Sequence, residues 1–169
     1  MLARRDRLAR EVSTQGLLVR FKNHVHINRP VDVVSSYVAD FQNLPKWRGS
    51  VGAAAKEHDG PEKLGTEYRM VSSHVEQRFR ITEHNLPRSV TIESVPGVVP
   101  MFKIRTVFLR TGKNRTLVSE RWELDSRSNR LRARLLARQM QRNAAGDLRT
   151  LKERLEERTK TGGRKQDTN

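Results

Sequence analysis

From residue 18 to residue 28 apolar and polar positions alternate. Val19, Phe21, Val25 and Ile27 fall on one side, and Arg20, Lys22, His24 and His26 on the other. A period of two predicts a half-buried strand. The period then lengthens, and Val34, Tyr37, Val38 and Phe41 form a stripe at helical spacing. Pro30 suits the first turn of that helix, because its φ is fixed and its missing N–H costs nothing there. Asn28 is placed to cap it. Leu44-Pro45-Lys46-Trp47 closes a second short helical turn, since Pro45 drives Leu44 out of the helical region.

Period two returns in six segments, near 51–58, 64–73, 75–84, 89–95, 102–111 and 115–125. Asp59-Gly60-Pro61, Asn85-Leu86-Pro87, Pro96-Gly97 and Thr111-Gly112-Lys113-Asn114 separate them as turns. Short strands at even spacing predict an antiparallel meander. Thr66, Tyr68, Met70 and Ser72 share one face. So do Phe102, Ile104, Thr106 and Phe108, and so do Thr116, Val118, Glu120, Trp122 and Leu124. The pattern changes once more over 127–158. Leu136, Met140, Ala144, Leu148, Leu151 and Leu155 recur every three or four residues. A helix of that length runs roughly 45 Å, enough to cross a sheet. Gly146 lies inside it and marks either a bend or a close approach to the sheet. The order is α+β: a curved antiparallel sheet of about seven strands around one long C-terminal helix, with a short helix pair after the first strand.

The length of 169 residues suits one domain with tails. Residues 1–17 read as a basic N-terminal arm and 159–169 as a disordered basic tail. Asp6 and Glu11 argue against a transit peptide in the arm, no apolar run has the length of a membrane span, and a cytoplasmic protein is expected. The absence of cysteine excludes disulfides and thiolate metal sites. The net charge of +15 gathers at the ends. Thirteen Lys and Arg stand against five acids after residue 125, whereas sixteen stand against twelve in 21–125. Such a field attracts RNA, ribosomes or anionic membrane, and equally it keeps a helix face solvated.

The run from Ile27 to Asp40 with its Pro30, the Leu44-Pro45-Lys46-Trp47 turn, Leu64-Gly65-Thr66 opening a strand, and Leu151-Lys152-Glu153-Arg154-Leu155-Glu156 carry a resemblance. Over residues 18–158 the chain resembles the START-like, helix-grip superfamily, and within it the polyketide cyclase/dehydrase and lipid-transport group, also called SRPBCC. The resemblance implies a cavity between the concave sheet and the long helix. It implies a lipid, polyketide or quinone as ligand, either carried or cyclised there. A further branch of the superfamily associates with ribosomal subunits.

The inward positions Tyr68, Met70, Phe79, Ile81, Ile92, Phe102, Ile104, Val118 and Trp122 make one apolar wall, with Leu136 and Met140 as the helix's side of it. Trp47, Thr66 and Thr106 complete the expected ligand set. A packed core needs the same residues, so the pattern leaves both open. Glu120 is mid-strand on the apolar face, where a carboxylate needs a partner or must take up a proton. An Arg of the long helix is one such partner. Alternatively, Glu120 and Tyr68 are the candidates for proton transfer in an aromatase, cyclase or dehydratase. His24 and His26 point one way, but no third ligand is near them in sequence, so no metal is expected. No phosphate loop, nucleophile elbow or cofactor motif occurs. Arg127, Arg130, Arg134, Arg138 and Arg142 form a helical stripe, free of interleaved aromatics, that offers a basic docking surface. Binding of a hydrophobic small molecule is the leading expectation, cyclisation and basic-surface docking the alternatives. Monomer and homodimer both remain open.

Overall fold

The computed structural model describes residues 17–97, 101–126 and 130–162. Its elements are β1 (Leu17–Ile27), α1 (Val31–Ala39), a 3-10 turn (Phe41–Lys46), β2 (Val51–Lys56), β3 (Glu67–Ser72), β4 (Val75–Asn85), β5 (Ser89–Ser94), β6 (Met101–Gly112), β7 (Arg115–Ser126) and α2 (Arg130–Gly162). The seven strands form one antiparallel sheet in the order β1-β7-β6-β5-β4-β3-β2. The first strand closes against the last, and the rest is a meander. The alternation read from the sequence holds in β1, β6 and β7, whereas β5 is covered on both faces, with Ser89, Val90, Thr91, Ile92 and Ser94 all buried. Phe102, Ile104, Thr106 and Phe108 are buried while Lys103 and Arg105 are exposed. His24 and His26 are exposed on the outer face of β1.

Helix α2 lies along β1, and hydrogen bonds fix it there. Asn23 Nδ2 donates to the Gln141 carbonyl at 3.1 Å, and Arg29 Nε to the Leu155 carbonyl at 2.7 Å. Ala144, Leu148, Leu151 and Leu155 are its buried stripe. The stripe was expected to begin at Leu136, yet that residue is half exposed. Leu136 borders the cavity instead, while Ala133, nearer the helix start, is buried.

Four local expectations are corrected. Asn28 does not cap α1. Pro30 occupies the cap position with no side-chain bond, and the Asn28 N–H donates to Glu156 Oε1 at 2.7 Å. Leu64-Gly65-Thr66 is a turn rather than the start of a strand. Gly65 takes φ +85°, and the Thr66 N–H donates to the Lys63 carbonyl. Helix α2 runs to Gly162, past the expected end at 158; residues 1–16, 127–129 and 163–169, which include the N-terminal arm and Arg127, lie outside the described residues. Gly146 makes no close approach, because a Cβ built there meets only the far end of Arg149 at 3.9 Å.

At the end where β3 begins, Phe41 of the 3-10 turn stands edge-on to Tyr68 and Phe79, with centroids 5.3 and 5.4 Å away. Tyr68 and Phe79 stack at 5.3 Å. Phe79 is in turn 6.4 Å from Phe102, and this aromatic cluster fills the part of the sheet under the 3-10 turn. Farther along, β3 turns into β4, β7 leaves the sheet and α2 begins. Phe102 and Trp122 line the groove between the sheet and α2.

Candidate ligand-binding site

The groove between the sheet and α2 holds a cavity of about 290 Å³. Met70, Ile92, Phe102, Ile104, Trp122 and Leu124 form its sheet side, and Leu136, Met140 and Ala144 its helix side. Ser72, Ser73, Gln77 and Asn143 stand at the mouth. The wall is apolar and the polar groups are few, the usual make-up of a small-molecule site.

Arg48 is the charged residue at the inner side. The 3-10 turn places it, since its N–H donates to the Leu44 carbonyl at 2.8 Å and its own carbonyl accepts from the Val51 N–H at 3.0 Å. Its guanidinium lies between two indoles, 4.4 Å from the Trp47 ring centre and 5.0 Å from that of Trp122. Arg48 Nη2 donates to Glu120 Oε1 at 2.5 Å, and the two side chains are 8% and 1% exposed. Trp122 Nε1 donates to the other carboxylate oxygen at 3.0 Å. Arg48 Nη1 faces Asp147 Oδ2 of α2 at 3.7 Å. Asp147 Oδ1 accepts from the Gly49 N–H at 3.0 Å, which ties the loop to the helix. Burial pushes the Asp147 carboxyl above its ordinary value, against the opposing pull of the Gly49 bond and the Arg48 charge.

Behind Arg48 lies a second void of about 10 Å³, bordered by Trp47, Thr106 and Glu120. It has room for no more than one water. Glu120 therefore has a partner, as its position demanded, but the partner comes from the loop before β2 and not from the long helix. The helix contributes an acid instead.

The other expected site residues divide by distance from the mouth. Met70, Ile92, Phe102, Ile104, Trp122, Leu136 and Met140 line the cavity. Trp47 and Thr106 border the small void. Phe79, Ile81 and Val118 are packed in the core, and Thr66 is half-buried where its carbonyl accepts from the Ile81 N–H. Tyr68 is in the aromatic cluster and does not line the cavity. Its hydroxyl donates to Glu62 Oε1 at 2.9 Å, and burial, helped by that bond, pushes it far above its ordinary value. Arg48, Asp147 and Asn143 were not foreseen. The one sequence signal for Arg48 was the buried-carboxylate position of Glu120. Arg134, Arg138 and Arg142 are exposed on α2, while the side chain of Arg130 is not described. Among the described residues no three acid or His side chains are grouped to hold a metal, and no helix is long and apolar enough to cross a membrane.

Solved structures share this architecture. The aromatase/cyclase Zhui from Streptomyces sp. R1128 superposes with TM-score 0.67 at 16% identity, covering 87% of this chain and 99% of its own. A START superfamily protein from Mycobacterium smegmatis gives TM-score 0.64 at 14% identity, covering 80% and 98%. The di-domain ARO/CYC BexL of the BE-7585A biosynthetic pathway gives 0.67 at 14% identity; 82% of this chain is covered, but it spans only 46% of that protein. A search of curated proteins finds no match. At these identities the likeness establishes the START-like, helix-grip fold. Residues 19–156 match the model of the family described as polyketide cyclase/dehydrase and lipid transport, and the chain belongs to that family.

Proposed function

We propose that the protein binds a hydrophobic small molecule, a lipid, polyketide or quinone, in the cavity between the sheet and α2. The observation that carries this is the apolar 290 Å³ space between the sheet and α2, beside an aromatic cluster that fills the sheet under the 3-10 turn. Its volume is near the lower limit of small-molecule sites. The family description supports a ligand of this class. Cyclisation of a polyketide in the same space is the finer alternative. Carriage is favoured over turnover by the state of the two candidate proton-transfer groups. Glu120 is committed to Arg48 and Trp122, and Tyr68 to Glu62 outside the cavity.

Native mass spectrometry of the purified protein, followed by extraction after denaturation, tests the reading. A defined apolar molecule at near-stoichiometric occupancy is expected. Met140→Ala removes apolar contact worth about 1 kcal/mol, so it weakens affinity for that molecule about fivefold. Unchanged affinity in a folded Met140→Ala variant would sink the assignment of the cavity. For the cyclisation alternative, turnover that survives Glu120→Gln removes the role of that carboxyl.

A further inference from the structure

The cavity opens at the end of the molecule where β1 starts, β7 finishes and α2 begins. The register fixes that end: Leu17 pairs with Ser126, Met101 with Asp125, and Ser72 with Val75 across the β3–β4 turn. Ten large apolar side chains are exposed among the described residues. Seven of them, Leu18, Val71, Val75, Met101, Leu131, Leu135 and Leu136, are at this one end. Leu131 is 79% exposed and Leu135 68%, on the first turns of a helix whose later leucines are buried. Scattered single apolar residues need no explanation, but a crowd at one pole does.

The same turns of α2 carry Arg134, Arg138 and Arg142, exposed and without an ion-pair partner among the described residues. Leu131, Leu135, Arg138 and Arg142 follow one another at spacings of four, three and four, so leucine and arginine share a row. Among the described residues the acids at this pole are Glu76, Asp125, the Arg20-bound Glu123 and, on the same row, the Lys103-bound Glu93.

We infer that this pole docks on an anionic lipid bilayer and presents the cavity mouth to it. Exposed leucines enter the boundary between headgroups and acyl chains. Arginine stems lie along the apolar surface while the guanidinium groups stay with lipid phosphates. Residues from both faces of the sheet and the back of the helix are exposed, as befits a tip surrounded by lipid. A nucleic acid would use the arginines and leave the leucines idle, and among the described residues the tip exposes no aromatic side chain on its surface for bases to stack on. A second copy would cover the leucines but would bring the unpaired arginines of two copies together. Leu131, Leu135 and Arg138 are outside the cavity lining, so docking does not depend on what fills the cavity.

The test is co-sedimentation of the full chain, stripped of co-purifying small molecules, with phosphatidylcholine vesicles with and without phosphatidylglycerol. Three arginines near an anionic surface give a preference of about 100-fold for the anionic vesicles, reduced by salt. Leu131→Glu/Leu135→Glu, at positions too exposed to disturb folding, lowers binding about tenfold or more. Equal binding of both vesicle types, or undiminished binding of the leucine variant, overturns the inference. Sedimentation equilibrium supplies another adverse outcome, a dimer abolished by the same substitutions, which would assign the pole to a second copy. Bound RNA that resists the leucine substitutions would reduce the surface to its arginines alone.

Discussion

Arg48 and Glu120 are predicted to be worth far less as a pair than the damage done by removing either one. Arg48→Met leaves a carboxylate that is 0% exposed with only the Trp122 N–H to hold it. An abandoned buried charge of this kind costs about 3–5 kcal/mol. Glu120→Gln is milder, because the guanidinium keeps Asp147 at 3.7 Å and two indole faces. Loss of one charged hydrogen bond costs about 2 kcal/mol. In the double variant no unpaired charge remains at position 48 or 120. Gln can still accept from Trp122, and the total loss is about 2 kcal/mol. The singles therefore sum to about 5–7 kcal/mol and the double falls short of that by roughly 3–5. Urea unfolding of the four proteins, compared at a common m-value, measures the shortfall. Losses that add to within about 0.5 kcal/mol would show that the two side chains do not depend on each other, and the account of the buried pair would be wrong.

Two further predictions concern stability. Gly146→Ala raises it by about 1 kcal/mol, since the residue is inside a continuous helix with space for a methyl group; a lower thermal midpoint would mean the glycine has a structural role after all. Glu83 is held below its ordinary value of 4.5 chiefly by hydrogen bonds from Thr91 and Ser89, with Arg105 adding to them against burial. A depressed carboxyl contributes its full stability above the unfolded value and loses it as pH falls through the folded one. Below about pH 4.5 wild type thus loses stability more steeply than Thr91→Val, and parallel acid titrations of the two would contradict this.

The strands were legible because burial on one face imposes a period of two that nothing else in the chain produces. Phe102 to Phe108 and Thr116 to Leu124 show it residue by residue. The turn between β3 and β4 was not legible in kind. Ser73 and His74 take φ of 49° and 68°, a conformation usually marked by glycine or asparagine. Burial alone also could not separate cavity wall from core. Tyr68 and Met70 are two residues apart on one face, yet the first is under Phe41 and the second lines the open space. What divides them is the 3-10 turn laid over one end of the sheet, a long-range contact with no trace in the periodicity of β3.

The same limit explains the missed partner of Glu120. A mid-strand carboxylate on an apolar face announces that a cation must reach it, but not from where. Arg48 is 72 residues away in sequence, in a short loop that carries no pattern of its own. Its burial is decided jointly. Trp47 and Trp122 supply the faces, Glu120 the charge, and Asp147 holds the loop backbone through Gly49. The pair consequently joins three elements, the loop before β2, the strand β7 and the helix α2, at the point where the groove passes from filled to open. A ligand entering from the mouth would meet apolar walls first and this cluster last, where Arg48 Nη1 and Trp47 Nε1 are buried without a hydrogen-bond partner. Its affinity then depends on the apolar surface it buries. A polar group on the ligand would find the unused Arg48 Nη1 donor at the inner side, or Ser72, Gln77 and Asn143 at the mouth, on the side that faces the exposed leucines.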